Sequence, residues 1–144
     1  MSYATPQDLI NRYPNRDLVQ LSNEDPTITT INTTVLQQSL DDASAEIDGY
    51  LGGRFTLPLT DAPEVLSRLA CDVAIYRLQS LRPIHDLADA RRRYDDAIAM
   101  LTKVASGAMT LGIGADGHET SIAQGAEQAV GPVRIFNRKK MRGF

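Results

Sequence analysis

A chain of 144 residues, 42% apolar and 23% charged, fits one globular domain and excludes wholesale disorder. Its one cysteine, Cys71, excludes an intramolecular disulfide and a cysteine-based zinc site, and fits assembly in a reducing cytoplasm. The net charge of -3 is unevenly spread: residues 1–107 carry 10 Lys/Arg against 15 Asp/Glu, and residues 108–144 carry 5 against 3, so the body is acidic and the end basic.

Met1 to Leu9 has neither the basic nor the apolar region of a signal peptide, and no uncharged apolar run approaches the ~18 residues of a membrane span, so neither is expected. Thr5-Pro6-Gln7-Asp8 reads as a helix start: Thr5 caps, Pro6 suits the first helical position, and Asp8 sits where the helix dipole favours an anion. Leu9, Ile10 and Tyr13 would face the core, and Pro14 ends the helix because the residue before a proline is pushed out of the α region. Asn15 to Leu21 reads as a further turn and Ser22 to Thr30 as a loop.

The clearest helix runs from about Thr34 to Gly52, where Leu36, Leu40, Ala43, Ile47, Tyr50 and Leu51 advance by threes and fours. Asp41, Asp42, Ser44, Glu46 and Asp48 are expected on its other side, giving an acidic outer face. Asn32 or Thr33 caps it, and Gly52-Gly53 is expected to stop it in the left-handed conformation. Arg54 to Leu59 alternates but holds Pro58, which predicts an extended connector or edge segment. A third helix starts at Pro63-Glu64, carries the stripe Leu66, Leu69, Ala70, Val73, Ala74 and Leu78 of a deeply buried element, and ends at Arg82-Pro83. A fourth runs from His85 or Asp86 to Ser106, with Leu87, Ala90, Tyr94, Ile98, Leu101 and Val104 or Ala105 inward and Gly107 as terminator.

The expected fold is therefore mainly α, a compact bundle of three substantial helices plus a short N-terminal helix over residues 1–107. From Ala108 the helical period is lost among six glycines, and residues 108–144 read as an extended arm. The arm ends in Val133, Arg134, Ile135 and Phe136, an alternation suited to adding a strand to a partner, followed by Arg138, Lys139, Lys140, Arg142 and Phe144. A basic end of this kind can hold nucleic-acid phosphates or dock on an acidic protein surface with Phe136 and Phe144 as anchors; the acidic body favours the second.

No residues assemble a catalytic constellation, and no metal or cofactor is expected. His85, beside Asp86 and Asp89, and His118, beside Asp116 and Glu119, read as ordinary surface histidines. The acidic residues of the Thr34 to Gly52 helix lack a glycine-centred calcium loop. Leu111 to Gly117 contains a Gly-x-Gly but no helix follows to aim amides at a phosphate. Cys71 has no activating base nearby in sequence and reads as core packing.

Several segments, taken together and in order, resemble a known family: Tyr3 to Ile10, Leu40 to Leu51, Gly53 to Leu59, Leu69 to Ala74 and Phe136 to Phe144. The chain is similar over nearly its whole length to the head-to-tail connector (neck adaptor) proteins of Mu-like phages and prophages. The resemblance implies a virion protein assembled in the host cytoplasm, with about twelve copies in a ring under the portal, extending the DNA channel and meeting a stopper or tail-completion protein. It implies no membrane and only non-specific passage of double-stranded DNA. Asp41, Asp42, Glu46 and Asp48 would then face the channel or a subunit interface, and the basic end would contact the portal or a neighbouring subunit. The competing reading is a small DNA-binding or regulatory protein using the basic tail.

Overall fold

The computed structural model describes residues 2–84 and 87–114. Helix α1 spans Pro6–Arg12. The Thr5 backbone N–H donates to the Asp8 carboxylate at 2.8 Å, and that bond is the main cause holding the Asp8 carboxyl below its ordinary range. Tyr13, at φ -122° and ψ 150°, leaves the helix in the extended conformation that Pro14 imposes on its predecessor. The chain re-enters a helix at once. Helix α2 spans Asn15–Ser22, and the Pro14 carbonyl accepts from the N–H groups of Asp17 and Leu18 at 3.0 and 3.2 Å. Where the sequence suggested one further turn, eight residues make a second short helix, because Leu18 and Leu21 are both fully buried and hold it to the core.

Helix α3 spans Thr33–Leu51, with the Asn32 side chain accepting from the N–H groups of Thr34 and Val35. Gly52 follows at φ -61°, which corrects the left-handed stop expected there. Glycine here eases a close approach: a Cβ would stand 3.1 Å from the Asp48 carbonyl oxygen, so a larger residue would require a shift of a few tenths of an ångström. The connector after it turns instead of forming a strand, with Arg54 and Phe55 N–H groups both returning to the Leu51 carbonyl. Phe55 and Leu59 bury themselves and pin this connector to the bundle.

Helix α4 spans Glu64–Leu81 and contributes Leu66, Leu69, Ala70, Cys71, Val73, Ala74, Ile75 and Leu78 to the core, each large one worth roughly 2 kcal/mol of burial. Helix α5 spans Leu87–Ser106 and buries Ala90, Ala97, Leu101 and Val104. Leu87, expected inward, is 37% exposed, since it opens α5 beyond the point where α4 has ended. Gly107, at φ +83°, closes α5 in the left-handed conformation that favours glycine.

The three long helices pack on one another, and α4 touches both of its partners along its length. Tyr76 stacks on Tyr94 at 4.4 Å and Arg68 reaches Met100, so α4 and α5 run antiparallel. The mainly α fold expected from sequence is present: five helices and no strand element among the described residues. The residues just past Gly107 stay in contact with the helices. Met109 and Leu111 rest on the core, Ile113 is buried, and the Arg54 guanidinium donates to the carbonyls of Val104 and Met109 at 2.8 and 3.2 Å.

Candidate interaction surface

Successive residues of a helix are turned by 100°, so the four carboxylates of α3 divide into two pairs, Asp41 with Asp48 and Asp42 with Glu46. Asp41 and Asp42 are exposed, whereas Glu46 and Asp48 lie on the shoulders of the helix, half-buried. Ser44, expected outward with them, is buried and its hydroxyl accepts the Tyr3 backbone N–H at 3.0 Å. A single acidic outer face is thus corrected to an outward Asp41–Asp42 edge with two inward-committed carboxylates beside it.

Tyrosines explain the commitment. The Tyr94 hydroxyl donates to Glu46 at 2.7 Å, and Arg77 donates to the other Glu46 oxygen at 2.7 Å, so one carboxylate of α3 holds both α5 and α4. The Tyr3 hydroxyl donates to Asp48, fastening the N-terminal segment across α3. The Tyr13 hydroxyl donates to Asp72 at 2.9 Å and fastens the end of α1 to α4. Each phenol is harder to ionise than usual. Tyr94 is pushed up to about 12, first by its bond to Glu46, while Tyr3 and Tyr13 are raised first by burial and then by their carboxylates.

Between α3 and α4 lies a groove of about 380 Å³ lined by Val35, Gln38, Asp42, Arg77, Leu78 and Leu81 among others. Leu81 is 80% exposed and adds apolar surface to this groove. A neighbouring groove of about 520 Å³ runs between α2, the 23–31 loop and the end of α4, with Ile28, Arg82 and Ile84 in its walls. A cleft of about 350 Å³ between α2, α4 and α5 includes Tyr13, Gln79 and Arg93, and the buried Gln79 carbonyl oxygen there has no hydrogen-bond partner among the described residues.

Cys71 is buried in α4, as its stripe predicted, and burial pushes its thiol up to about 12. Among the described residues no three His, Cys, Asp or Glu side chains gather as a metal site. Asp89 is paired with Arg92 and Arg93 on its own helix, while His85, Asp86, His118, Asp116 and Glu119 lie outside the described residues. No described helix is long and apolar enough to cross a membrane. The predicted docking residues Val133, Arg134, Ile135, Phe136, Arg138, Lys139, Lys140, Arg142 and Phe144 also lie outside the described residues. Sequence reasoning turned Tyr13 and Tyr94 inward without finding their carboxylate partners, and missed Tyr3, Ser44 and Gln79. Ser44 could have been found from its position on the same helical face as Leu40 and Ile47.

Comparison with known proteins spans the helices just described. Residues 3–130 match the family described as Bacteriophage Mu, Gp36. The chain is 37% identical to the Mu-like prophage FluMu protein gp36 of Haemophilus influenzae (strain ATCC 51907 / DSM 11121 / KW20 / Rd) over 142 residues, covering 99% of this chain and 97% of that protein. It is 33% identical to gene product J of Escherichia phage Mu over 144 residues, covering 100% and 99%. With both alignments running through α1 to α5 and past them, the chain belongs to the bacteriophage Mu Gp36 family, a family of Mu-like phage and prophage proteins.

Proposed function

We propose that this protein is a non-enzymatic head-completion adaptor of a tailed phage, in the neck between capsid and tail. About twelve copies form a ring under the portal, continue the DNA channel and present a platform to a stopper or tail-completion protein. The observation that carries this reading is the polarity of the chain. Helix α3 holds Asp41, Asp42, Glu46 and Asp48 and no Lys or Arg, whereas residues 134–144 hold five Lys/Arg and no Asp or Glu. Each copy therefore brings both halves of a head-to-tail contact, the kind of contact that closes into a ring. Family membership supplies the phage setting, and the bundle, tied together by Tyr3, Tyr13 and Tyr94, supplies a firm block from which to build.

Of the two roles open to the α3 carboxylates, the interface is favoured over the channel wall. Asp42 borders a groove floored by Leu78 and Leu81, a surface suited to protein and not to a water-filled bore. In a phage lacking this gene, DNA-filled heads and separate finished tails should accumulate and be joined by adding the purified protein. Normal particles from such a phage would refute the reading. The five cations near the C-terminus also favour a second reading, a small DNA-binding or regulatory protein. An adaptor binds duplex weakly and without sequence preference, so tight, sequence-selective binding that falls with salt would favour the alternative.

A further inference from the structure

We infer that the groove between α3 and α4 is the docking site for the C-terminal segment, residues 132–144, of a second copy of this chain. The inference rests on the adaptor reading only for the presence of a neighbouring copy. Among the described residues nothing covers the groove, with Leu81 80% exposed beside the buried Leu78. Covering Leu81 together with the apolar side chains beside it would remove that surface from water.

Three properties of the groove select the occupant. Its floor is aliphatic, formed by Val35, Leu78 and Leu81, and at about 380 Å³ it has room for an aromatic anchor of the kind that dominates binding at protein interfaces. Its α3 edge carries a carboxylate, Asp42, while Arg77, on the α4 side, is already paired with Glu46. The segment 132–144 offers the complement, with Val133, Ile135 and Phe136 apolar, Arg134 and Arg138 on either side of them, and no acidic side chain. Phe136 fills the aliphatic lining, and Arg134 or Arg138, one on either side of it, meets Asp42.

The distances allow it. Residues 115–132 can span about 60 Å when extended, roughly twice the length of the 19-residue α3 at about 28 Å. The arm of one copy can thus leave its own body and reach the groove of the next, and repetition of that contact in one direction round the ring uses every groove and every arm once.

The test uses the full chain with a photoreactive phenylalanine analogue in place of Phe136, mixed with isotope-labelled wild-type chain and irradiated. Cross-links joining labelled to unlabelled chains are expected at residues 35–42 and 77–81. Leu81→Glu and Asp42→Lys, both at surface positions and compatible with folding, should each lower that yield about tenfold. Cross-links mapping elsewhere, cross-links confined to one chain, an absence of cross-links, or yields unchanged by both substitutions would each overturn the inference. The adaptor reading is scored separately: rings on portals with cross-links elsewhere would leave it standing, and groove cross-links without rings would remove it alone.

Discussion

Replacing Tyr94 by Phe removes one oxygen atom and isolates the bond that ties α5 to α3. The ring stays, so its stacking on Tyr76 at 4.4 Å is retained, and Glu46 keeps Arg77 at 2.7 Å as a partner. A hydrogen bond to a charged group is worth about 1.5–3 kcal/mol in a mutational series, and the half-exposed setting of Tyr94 lets water compete, which brings the expected loss to about 1–1.5 kcal/mol. For a chain of 144 residues that loss corresponds to a fall in Tm of about 3–5 °C. Urea unfolding of wild type, Tyr94→Phe, Glu46→Gln and the double variant gives the coupling directly, with about 1 kcal/mol expected between the two positions. If Tyr94→Phe unfolds at the wild-type urea midpoint and the cycle shows no coupling, the assignment of Glu46 as a clasp between helices is wrong and it reverts to an ordinary surface carboxylate.

The same tyrosines set an alkaline limit. A phenol whose folded value lies above its unfolded value of 10.0 stabilises the protein fully below that value, and the contribution is lost as the pH rises through the folded value, about 12 for Tyr94, so unfolding free energy should decline from about pH 10 upward. Tyrosinate absorbance followed with urea titrations checks this, and a flat profile would count against it. Cys71, buried and held thiol-protonated, should resist thiol reagents at neutral pH until the chain is unfolded; native-state labelling at the rate of a free thiol would contradict the core assignment. Gln79→Met removes a buried carbonyl oxygen without a partner while keeping most of the volume, so stability should be unchanged or raised by about 1 kcal/mol; a large loss in thermal unfolding would mean that the amide is satisfied in solution.

Much of this fold was legible because its helices are marked by period. Leu36, Leu40, Ala43 and Ile47 fall on the predicted face of α3, and Leu66, Leu69, Val73 and Ala74 on that of α4. What period cannot carry is the chemistry between helices. Tyr3, Tyr13 and Tyr94 meet carboxylates 45, 59 and 48 residues away, separations that no local spacing encodes. Glu46 and Asp48 looked solvent-facing for that reason, although they border the buried stripe and are within reach of neighbouring elements. Gly52 shows another limit: glycine at a helix end signals either a left-handed turn or a close approach, and only the backbone decides which. The candidate surface was half legible. Asp41 and Asp42 were named from sequence, but Leu81, read as the last residue before a helix stop, gave no sign of standing exposed in the groove that Asp42 lines.

Electron microscopy of the purified full chain mixed with its portal protein puts the proposed ring-forming adaptor role to the decisive trial. A ring of the bundles coaxial with the portal, lengthening its channel on the tail side, is expected. Bare portals beside a free monomer, under conditions where the chain is folded, would rule the role out.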